Sequence, residues 1–246
     1  MMKKMTAARD YAVSAWSGGT TTQLAIFPPD AVYADRDFLW RVSSATVDLE
    51  ESDFTPLPDY ERLIATLEGD ITLTHKGGAP ITLQPFPVHA FSGGDATHSV
   101  GRCRDFNLML RRGRAAGTME ALHLVGAAQS SPVKGRGSAV SGAEEGFRPP
   151  EAEGPLAPSV GTSIACPPVP GETRLFYCAA GSCTVGAAQT SPSCHSDRSV
   201  AESKNPFPSV PLHAGETLLC TDPIPLTLTG TADLMLCRIK VKNESL

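Results

Sequence analysis

The chain has 246 residues and a formal net charge of -5, with 21 lysines and arginines against 26 aspartates and glutamates. The basic residues form no block, which excludes the electrostatic surface typical of a nucleic-acid-binding protein. No apolar run approaches the ~20 residues of a membrane span, and residues 1–11 lack the apolar core of a signal peptide, so we expect a cytoplasmic protein.

Turn-forming residues are frequent, with 22 glycines and 21 prolines, and aromatic residues make up only 6% of the chain. Long helices would not tolerate so many breaks, so the composition predicts an all-β fold. The 7 cysteines contain no Cys-x-x-Cys pair. Their spacing predicts neither a structural zinc site nor a disulfide framework.

The first predicted feature is a strand that leads into a glycine-rich loop. Residues 3–13 have the pattern of a lead-in strand, and the Gly18-Gly19 pair after Trp16 permits a tight backbone path before extended structure resumes. The sequence leaves two interpretations of Trp16 open. It is either a core side chain beside the turn or a pocket wall whose indole N–H anchors a ligand.

Residues 37–47 alternate in the manner of a strand with two different faces. One face carries Arg41, Ser43 and Ala45, and the other is apolar. Small neighbours on an inner face leave room for a ligand, and a guanidinium offers a carboxylate a planar pair of donors. Arg41 is therefore the predicted anion anchor. A structural ion pair between Arg41 and Asp95 or Asp105 is the alternative.

Further polar candidates lie on the strands that follow. Arg62 begins a predicted strand and is the second candidate anchor, and Asp95 follows a tight turn at a strand mouth. Residues 105–110 place Asp105 and Asn107 on one face of a strand whose other face is apolar. These two side chains either line a cavity or bond to neighbouring loops.

Two tracts of low complexity interrupt the strand pattern. Residues 126–166 are predicted to form a linker and residues 186–209 an insertion, because neither tract has enough apolar side chains to build a core. The predicted domains are therefore an N-terminal unit at 1–125 and a C-terminal unit at 167–246.

A repeated pattern relates these two units. Three residues recur at identical spacing, with Arg62, Gly69 and Thr72 returning as Arg174, Gly181 and Thr184. The apolar core of residues 105–112 also returns in residues 234–238. The sequence therefore predicts a duplicated all-β unit, with any site in the first copy or at the junction of the two.

Several short motifs occur together in a fixed order along the first half. They are Trp16-x-Gly18-Gly19, Phe38-x-Trp40-Arg41-x-Ser43, Phe54, Arg62, Gly69, Asp95 and Asp105-Phe106-Asn107-Leu108-Met109. In this combination the chain resembles the HutD/Ves family, strongly over residues 11–112 and weakly over residues 174–240. The resemblance implies two cupin-like β-barrels of the RmlC jelly-roll type in one chain, a bicupin, and an association with histidine-degradation enzymes.

Metal-dependent cupins carry His-x-His followed by Glu and a later His, because these ligands must converge from neighbouring strands. The 6 histidines of this chain contain no His-x-His. We therefore predict no metal site and no cofactor. His89 and His98 could still meet across a hairpin, and they are the remaining candidates for a metal site.

The favoured function is non-catalytic binding of a small anionic metabolite, for which the resemblance suggests urocanate or formylglutamate. The predicted ligand-binding residues are Trp16, Arg41, Ser43, Arg62, Asp95, Asp105 and Asn107, and none is predicted to be catalytic. A metal-independent cupin enzyme, acting as an isomerase or hydrolase, and a protein-interaction scaffold are the alternatives. We predict no nucleic-acid or membrane partner and leave a homodimer open.

Overall fold

A computed structural model describes residues 1–126, 159–188 and 209–242. Within these ranges the chain forms eighteen β-strands, one short 3-10 helix at Tyr33–Asp35 and no α-helix. In chain order the strands are β1 (Met2–Met5), β2 (Ala12–Trp16), β3 (Gly19–Phe27), β4 (Trp40–Val47), β5 (Glu51–Asp53), β6 (Tyr60–Glu68), β7 (Ile71–His75), β8 (Ile81–Leu83), β9 (His89–Ser92), β10 (Thr97–Val100), β11 (Cys103–Arg111), β12 (Ala115–Leu124), β13 (Ser159–Gly161), β14 (Ser163–Cys166), β15 (Glu172–Ala187), β16 (Val210–His213), β17 (Thr217–Cys220) and β18 (Leu226–Val241). No helix in the described part of the chain has the length and apolar character needed to cross a membrane.

The strands form three sheets. A six-stranded sheet has the order β2-β3-β4-β11-β6-β9, and a four-stranded sheet has the order β5-β10-β7-β8. An eight-stranded sheet has the order β1-β17-β15-β18-β12-β13, with β14 paired to β18 and β16 paired to β15. The all-β prediction is confirmed. The strand orders leave unpaired edges, so the described residues do not form the closed barrels that we expected.

The six-stranded sheet is covered on both faces. On one face, Val42 and Leu108 join a core shared with strands β15 and β18 of the eight-stranded sheet, and Phe106 stacks on Tyr177 with ring centroids 5.3 Å apart. On the other face, Ile64 packs against the four-stranded sheet. Residues that share the face of Ile64 are thereby directed into the space between the two sheets of the first half.

Two strands from the first half belong to the eight-stranded sheet, which corrects the predicted domain boundary at residue 125. Strand β1 pairs with β17, and strand β12 pairs with β18 over its whole length. The apolar side chains of β12 explain this placement, because Met119 and Ala121 are buried in the core that the halves share. The halves are therefore interlocked and do not divide at the predicted position.

The predicted linker at 126–166 also needs correction at its C-terminal end. Residues 159–161 form β13, and residues 163–166 form β14, whose Cys166 is buried in a core of the second half. The short alternation Ser-Ile-Ala-Cys suffices for a strand because β18 supplies a pairing partner for each residue. Residues 127–158, and residues 189–208 of the predicted insertion, lie outside the described residues.

The central ladders of the two halves have the same register. In the pairing of β6 with β11, Arg62 lies opposite Met109, and the register shifts after Thr66. In the pairing of β15 with β18, Arg174 lies opposite Arg238, and the register shifts after Cys178. Each shift is followed by a glycine in the left-handed region, Gly69 with φ 75° and Gly181 with φ 74°.

The closing strands align differently from their sequence match. The ladders place Met109 in the position of Arg238, whereas the shared Leu-Met-Leu pattern would place it with Met235. Both faces of β18 are apolar and buried at Leu234, Met235, Leu236 and Cys237, so no alternation in this segment fixes its register, and the sequence alone misaligned these strands. The equivalent ladders are what a duplication produces, and the bicupin organisation itself stays a prediction.

Gly181 lies within β15, just after the register shift, and it provides a test of this shared backbone path. A Cβ at this position would overlap the carbonyl oxygen of Thr231, so Gly181→Ala combines a strained φ with a backbone clash. We expect Gly181→Ala to lower the free energy of unfolding by at least ~2 kcal/mol more than the matched Gly171→Ala. Gly171 has nearly the same φ, 72°, but no atom within 4 Å of a Cβ. Urea denaturation of both variants measures their free energies of unfolding. Equal decreases in the two variants would show that the close approach to Thr231 does not destabilise Gly181→Ala.

Candidate functional site

A cavity of about 310 Å³ lies in the first half of the chain. Its wall is formed by β2, β3, β4, β5, β6 and β11, together with the 3-10 helix and the loop after β5. The residues that line it are Ser14, Ala15, Trp16, Thr21, Tyr33, Arg41, Ser43, Ala45, Asp53, Phe54, Thr55, Arg62, Asp105, Asn107 and Met109. The volume suits a metabolite of modest size rather than a nucleotide or a lipid.

The polar wall follows from strand alternation. Ser43 lies opposite Asn107, and Ala45 lies opposite Asp105, in the pairing of β4 with β11. Residues that lie opposite each other in a ladder share one face of the sheet. The other face of β4 and β11 carries Val42, Phe106 and Leu108, which are buried in the core. The predicted polar face therefore lines the cavity because the apolar residues between its members occupy the opposite side.

Arg41 is buried, with 3% of its surface exposed. Its Nε donates to Oε1 of Gln23 at 2.8 Å, and one terminal nitrogen donates to Oγ of Ser43 at 3.1 Å. Its guanidinium carbon lies 4.2 Å from the centroid of the Tyr33 ring. Burial lowers the pKa of Arg41 to about 10. Neutral partners hold this side chain, and it forms no ion pair with Asp95 or Asp105 among the described residues.

Arg62 is also buried, and its environment is less polar. The guanidinium carbon lies 5.1 Å from the ring centroid of Phe54 and 5.0 Å from that of Phe91. Its Nε has no hydrogen-bond partner within the described structure. Burial lowers the pKa of Arg62, and the carboxylate of Asp105 opposes that shift. A cation with an unpartnered N–H is costly to bury, so the site favours an incoming anion.

Arg174 occupies the position equivalent to Arg62 in the ladder of β15 and β18, and its terminal nitrogens donate hydrogen bonds to backbone carbonyls. It donates to the carbonyl oxygens of Cys166 at 3.1 Å, Asp222 at 2.9 Å and Ile224 at 2.7 Å. Arg62 and Arg174 occupy equivalent positions in the two central ladders. Their hydrogen bonding separates them, since Arg174 ties loop carbonyls together and Arg62 does not.

Asp105 is the buried carboxylate of the cavity wall. Its Oδ1 accepts a hydrogen bond from the backbone N–H of Ala45 at 3.1 Å. Burial raises the pKa of Asp105 to about 6, against the opposing effects of Arg62, the Ala45 N–H and Arg41. Near neutral pH this group is therefore poised to change charge, and it compensates the two arginines only in part.

Trp16 and Asn107 add two further polar atoms without partners. Nε1 of Trp16 and Oδ1 of Asn107 are buried, and neither has a hydrogen-bond partner in the described residues. The indole ring occupies the space that a Cβ at Gly18 would need, which explains why glycine follows Trp16 in the chain. Of the two interpretations of Trp16, the structure places it in the cavity wall. An unused donor and an unused acceptor thus lie in one site.

Asp95 is the predicted site residue that the structure places elsewhere. Its carboxylate forms an ion pair with Nζ of Lys76 at 2.7 Å, and it does not line the cavity. The turn before β10 directs Asp95 toward the end of β7, where Lys76 also donates its backbone N–H to the carbonyl oxygen of Ala96. Asp105 is therefore the candidate carboxylate for this site, and Asp95 lies outside the cavity.

Sequence reasoning missed the aromatic wall of the cavity. Tyr33 comes from the 3-10 helix after a proline pair, and Phe54 comes from the proline-punctuated loop after β5. Neither position belongs to an alternating strand, so no periodic signal marked them. An aromatic side chain in a loop that adjoins a strand with a buried arginine was the available clue.

In the described ranges, no group of three or more His, Cys, Asp or Glu side chains converges as a metal site. The donors of the cavity are guanidinium, indole and hydroxyl groups, which suit an anion better than a cation.

More than half of the chain matches the sequence model of a known protein family. The HutD family model matches residues 8–147, and the matched segment contains every residue that lines the cavity. The chain belongs to the HutD family. No curated protein matches the sequence.

Solved structures support the fold of this HutD-family chain. A conserved protein of unknown function from Pseudomonas aeruginosa PAO1 superposes with a TM-score of 0.66 at 19% identity, covering 99% of this chain and 100% of that one. HutD from Pseudomonas fluorescens SBW25 gives 0.61 at 18% identity, with 99% and 100% covered. The YlbA protein from Escherichia coli gives 0.58 at 10% identity, with 100% and 93% covered. At these identities the likeness establishes an all-β, cupin-like fold.

The raised pKa of Asp105 predicts a specific dependence of stability on pH. A carboxyl whose pKa rises from 3.8 to about 6 on folding contributes stability below pH 3.8, which is lost as the pH rises through 6. Between pH 4 and pH 7, the wild type should lose ~2–3 kcal/mol of unfolding free energy relative to Asp105→Asn. The carboxamide keeps an oxygen for the Ala45 N–H, and it does not ionise.

Urea denaturation of the wild type and Asp105→Asn at several pH values measures this difference. Asp53→Asn is the matched control, because its side chain is 85% exposed at the cavity mouth. A stability difference between Asp105→Asn and the wild type that stays constant from pH 4 to pH 7 would show that Asp105 ionises normally.

Proposed function

We propose that this HutD-family protein is a non-catalytic binding protein for a small anionic metabolite. The observation that supports the proposal is a charge imbalance: two buried arginines line a cavity whose buried carboxylate, Asp105, has its pKa raised to about 6. Asp105 neutralises the positive charge of Arg41 and Arg62 only in part. An anion that reaches both arginines would supply the remaining negative charge.

The unpartnered atoms define the ligand chemistry further. A carboxylate accepts from the guanidinium groups and from the indole N–H of Trp16, and a ligand N–H donates to Oδ1 of Asn107. The side chains of Tyr33 and Phe54 add aromatic surface to the wall beside the two arginines. A small carboxylic acid that carries an N–H donor satisfies each of these groups.

Urocanate and formylglutamate are the two compounds proposed on this basis. Both are small carboxylic acids with an N–H donor, and both fit the role in histidine degradation that the family resemblance suggests. That metabolic role is part of the proposal, as is a cytoplasmic location. A second copy of the chain is retained as a proposed partner.

We also propose the duplicated two-cupin organisation expected from the repeat. The equal positions of the register shifts in the two central ladders support it, as do the left-handed glycines that follow them. In this arrangement the first copy holds the ligand and the second copy supports its outer face.

A metal-independent enzyme is the second candidate function, and the raised pKa of Asp105 is the observation that favours it. A carboxylate with a pKa of about 6 is suited to general acid-base chemistry near neutral pH. Release of a new compound from urocanate or formylglutamate, lost in Asp105→Asn, would establish this function in place of simple binding.

The binding proposal predicts a ligand-dependent rise in thermal stability. Urocanate, formylglutamate or formate should raise the melting temperature of the wild type by mass action. Arg41→Gln and Arg62→Gln should each weaken binding by roughly 10–100-fold, since each removes charged hydrogen-bond donors. Thermal melts and calorimetric titration measure the two effects.

Arg104→Gln is the matched control for both arginine variants. Arg104 lies on β11 next to Asp105, but it donates to Glu68 and Tyr177 outside the cavity. Cooperative unfolding of each variant shows that it is folded. An unchanged ligand response in folded Arg41→Gln and Arg62→Gln would remove both arginines from the site, and a wild type that responds to no small carboxylate would support the interaction-scaffold alternative.

A further inference from the structure

Two histidines that the sequence did not pair face each other between the sheets of the first half. Nε2 of His75 lies 2.9 Å from Nε2 of His89, although the residues are 14 positions apart. His75 ends β7 of the four-stranded sheet, and His89 begins β9 of the six-stranded sheet. His98, the expected partner of His89, instead contacts Oδ1 of Asp53 at 3.0 Å.

The neighbours of His75 fix the position of its proton. Nδ1 of His75 lies 2.9 Å from Oγ1 of Thr97, and that hydroxyl donates to the carbonyl oxygen of Asp95 at 3.0 Å. A hydroxyl has one proton, so Thr97 must accept from the Nδ1–H of His75. Nε2 of neutral His75 is therefore an acceptor, and the Nε2–H of His89 donates to it.

This arrangement takes up one proton without losing the hydrogen bond between the rings. The first added proton enters at Nδ1 of His89, which has no hydrogen-bond partner in the described part of the chain, and this leaves its Nε2–H in place. A second proton would have to enter at Nε2 of His75, and it would set two N–H groups against each other. The ring centroids are 5.1 Å apart, so the rings meet nearly end to end, which suits an N–H···N bond better than two ligands converging on a metal ion.

A single phenyl ring connects this pair to the cavity wall. The ring centroid of Phe91 lies 4.7 Å from that of His75 and 5.8 Å from that of His89. The same ring lies 5.0 Å from the guanidinium carbon of Arg62. Charge on the histidine pair is therefore separated from the cavity arginine by one apolar side chain.

The charged groups around the pair shift the pKa of His75 in opposite directions. Burial lowers the pKa of both imidazoles, and the cation of Arg62 lowers that of His75 further. Asp95 raises the pKa of His75, although its ion pair with Lys76 offsets that charge. Arg62 is thus the neighbour of the pair whose effect an anion in the cavity would change.

We propose that the His75–His89 pair is a one-proton site coupled to the cavity through Arg62, so that a proton on the pair and an anion in the cavity favour each other. The ligand part of this inference rests on the proposed function. Reciprocity requires that acid conditions strengthen anion binding and that anion binding draws a proton onto the pair.

The first experiment needs no ligand. NMR titration of the imidazole signals, from pH 5 to pH 8, gives the pKa of the pair in the wild type, in Arg62→Gln and in the control Arg104→Gln. Removing the cation of Arg62 should raise that pKa, and Arg104→Gln should leave it unchanged. An identical titration in the wild type and a folded Arg62→Gln would overturn the coupling.

The second experiment uses formate as the probe and measures its affinity from pH 5.5 to pH 8. Because Asp105 titrates in the same range, the measurement is made in Asp105→Asn and repeated in the wild type. Lowering the pH should tighten formate binding about fivefold in Asp105→Asn, a value at the lower end of typical coupling. The double variant His75→Gln/His89→Gln, made in the Asp105→Asn background, should remove this dependence, and His213→Gln in the second half should retain it.

The two experiments separate failure of the coupling from failure of the proposed function. The coupling would be overturned if formate affinity showed the same pH dependence in Asp105→Asn with and without the folded double substitution His75→Gln/His89→Gln. A wild type that binds no carboxylate at any pH would refute the proposed function, and the titration of Arg62→Gln would still decide whether the pair and the arginine interact.

Discussion

The structure depends on the apolar contact between the outer face of the six-stranded sheet and the eight-stranded sheet. This contact buries Val42, Leu108 and Phe106 against side chains of the second half. Because one face of β4 and β11 is fixed in that core, their alternate residues must face the four-stranded sheet. Arg41, Ser43, Asp105 and Asn107 are in the cavity for this reason, and their burial creates the shifted pKa values of the site.

The two central ladders show how one backbone supports a cavity in one half and a filled core in the other. The ladder position of Asp105 corresponds to Leu234, and that of Asn107 corresponds to Leu236. Both leucines are buried in an apolar cluster of the second half. The difference between polar and apolar side chains at equivalent positions therefore separates a half with a polar cavity from a half with an apolar core.

The strand alternation explains how much of this arrangement the sequence could predict. Alternation in β4 and β11 indicated the face that carries the polar residues, and the spacing from Arg62 to Gly69 indicated the shared ladder. These are local properties, which a sequence records directly. Asp95 was misplaced because its direction depends on the turn that brings it to Lys76, which no periodicity describes.

Long-range pairing accounts for the remaining differences. Strand β12 looked like the end of the first unit, yet its partner β18 lies far along the chain. The closed barrels were inferred by resemblance, whereas closure depends on edge pairing between strands distant in sequence. The contact between His75 and His89 likewise joins two sheets, and only the folded packing shows it.

The position of β12 also limits how this chain could have been assembled during evolution. A segment that ended with the first half would retain every side chain of the cavity wall, yet it would leave β12 without β18 and expose the apolar back of the six-stranded sheet. Such a segment could not be exchanged between proteins as an independent module. Selection for a cavity in the first half therefore also acts on the packing of a second half that contributes none of the lining residues.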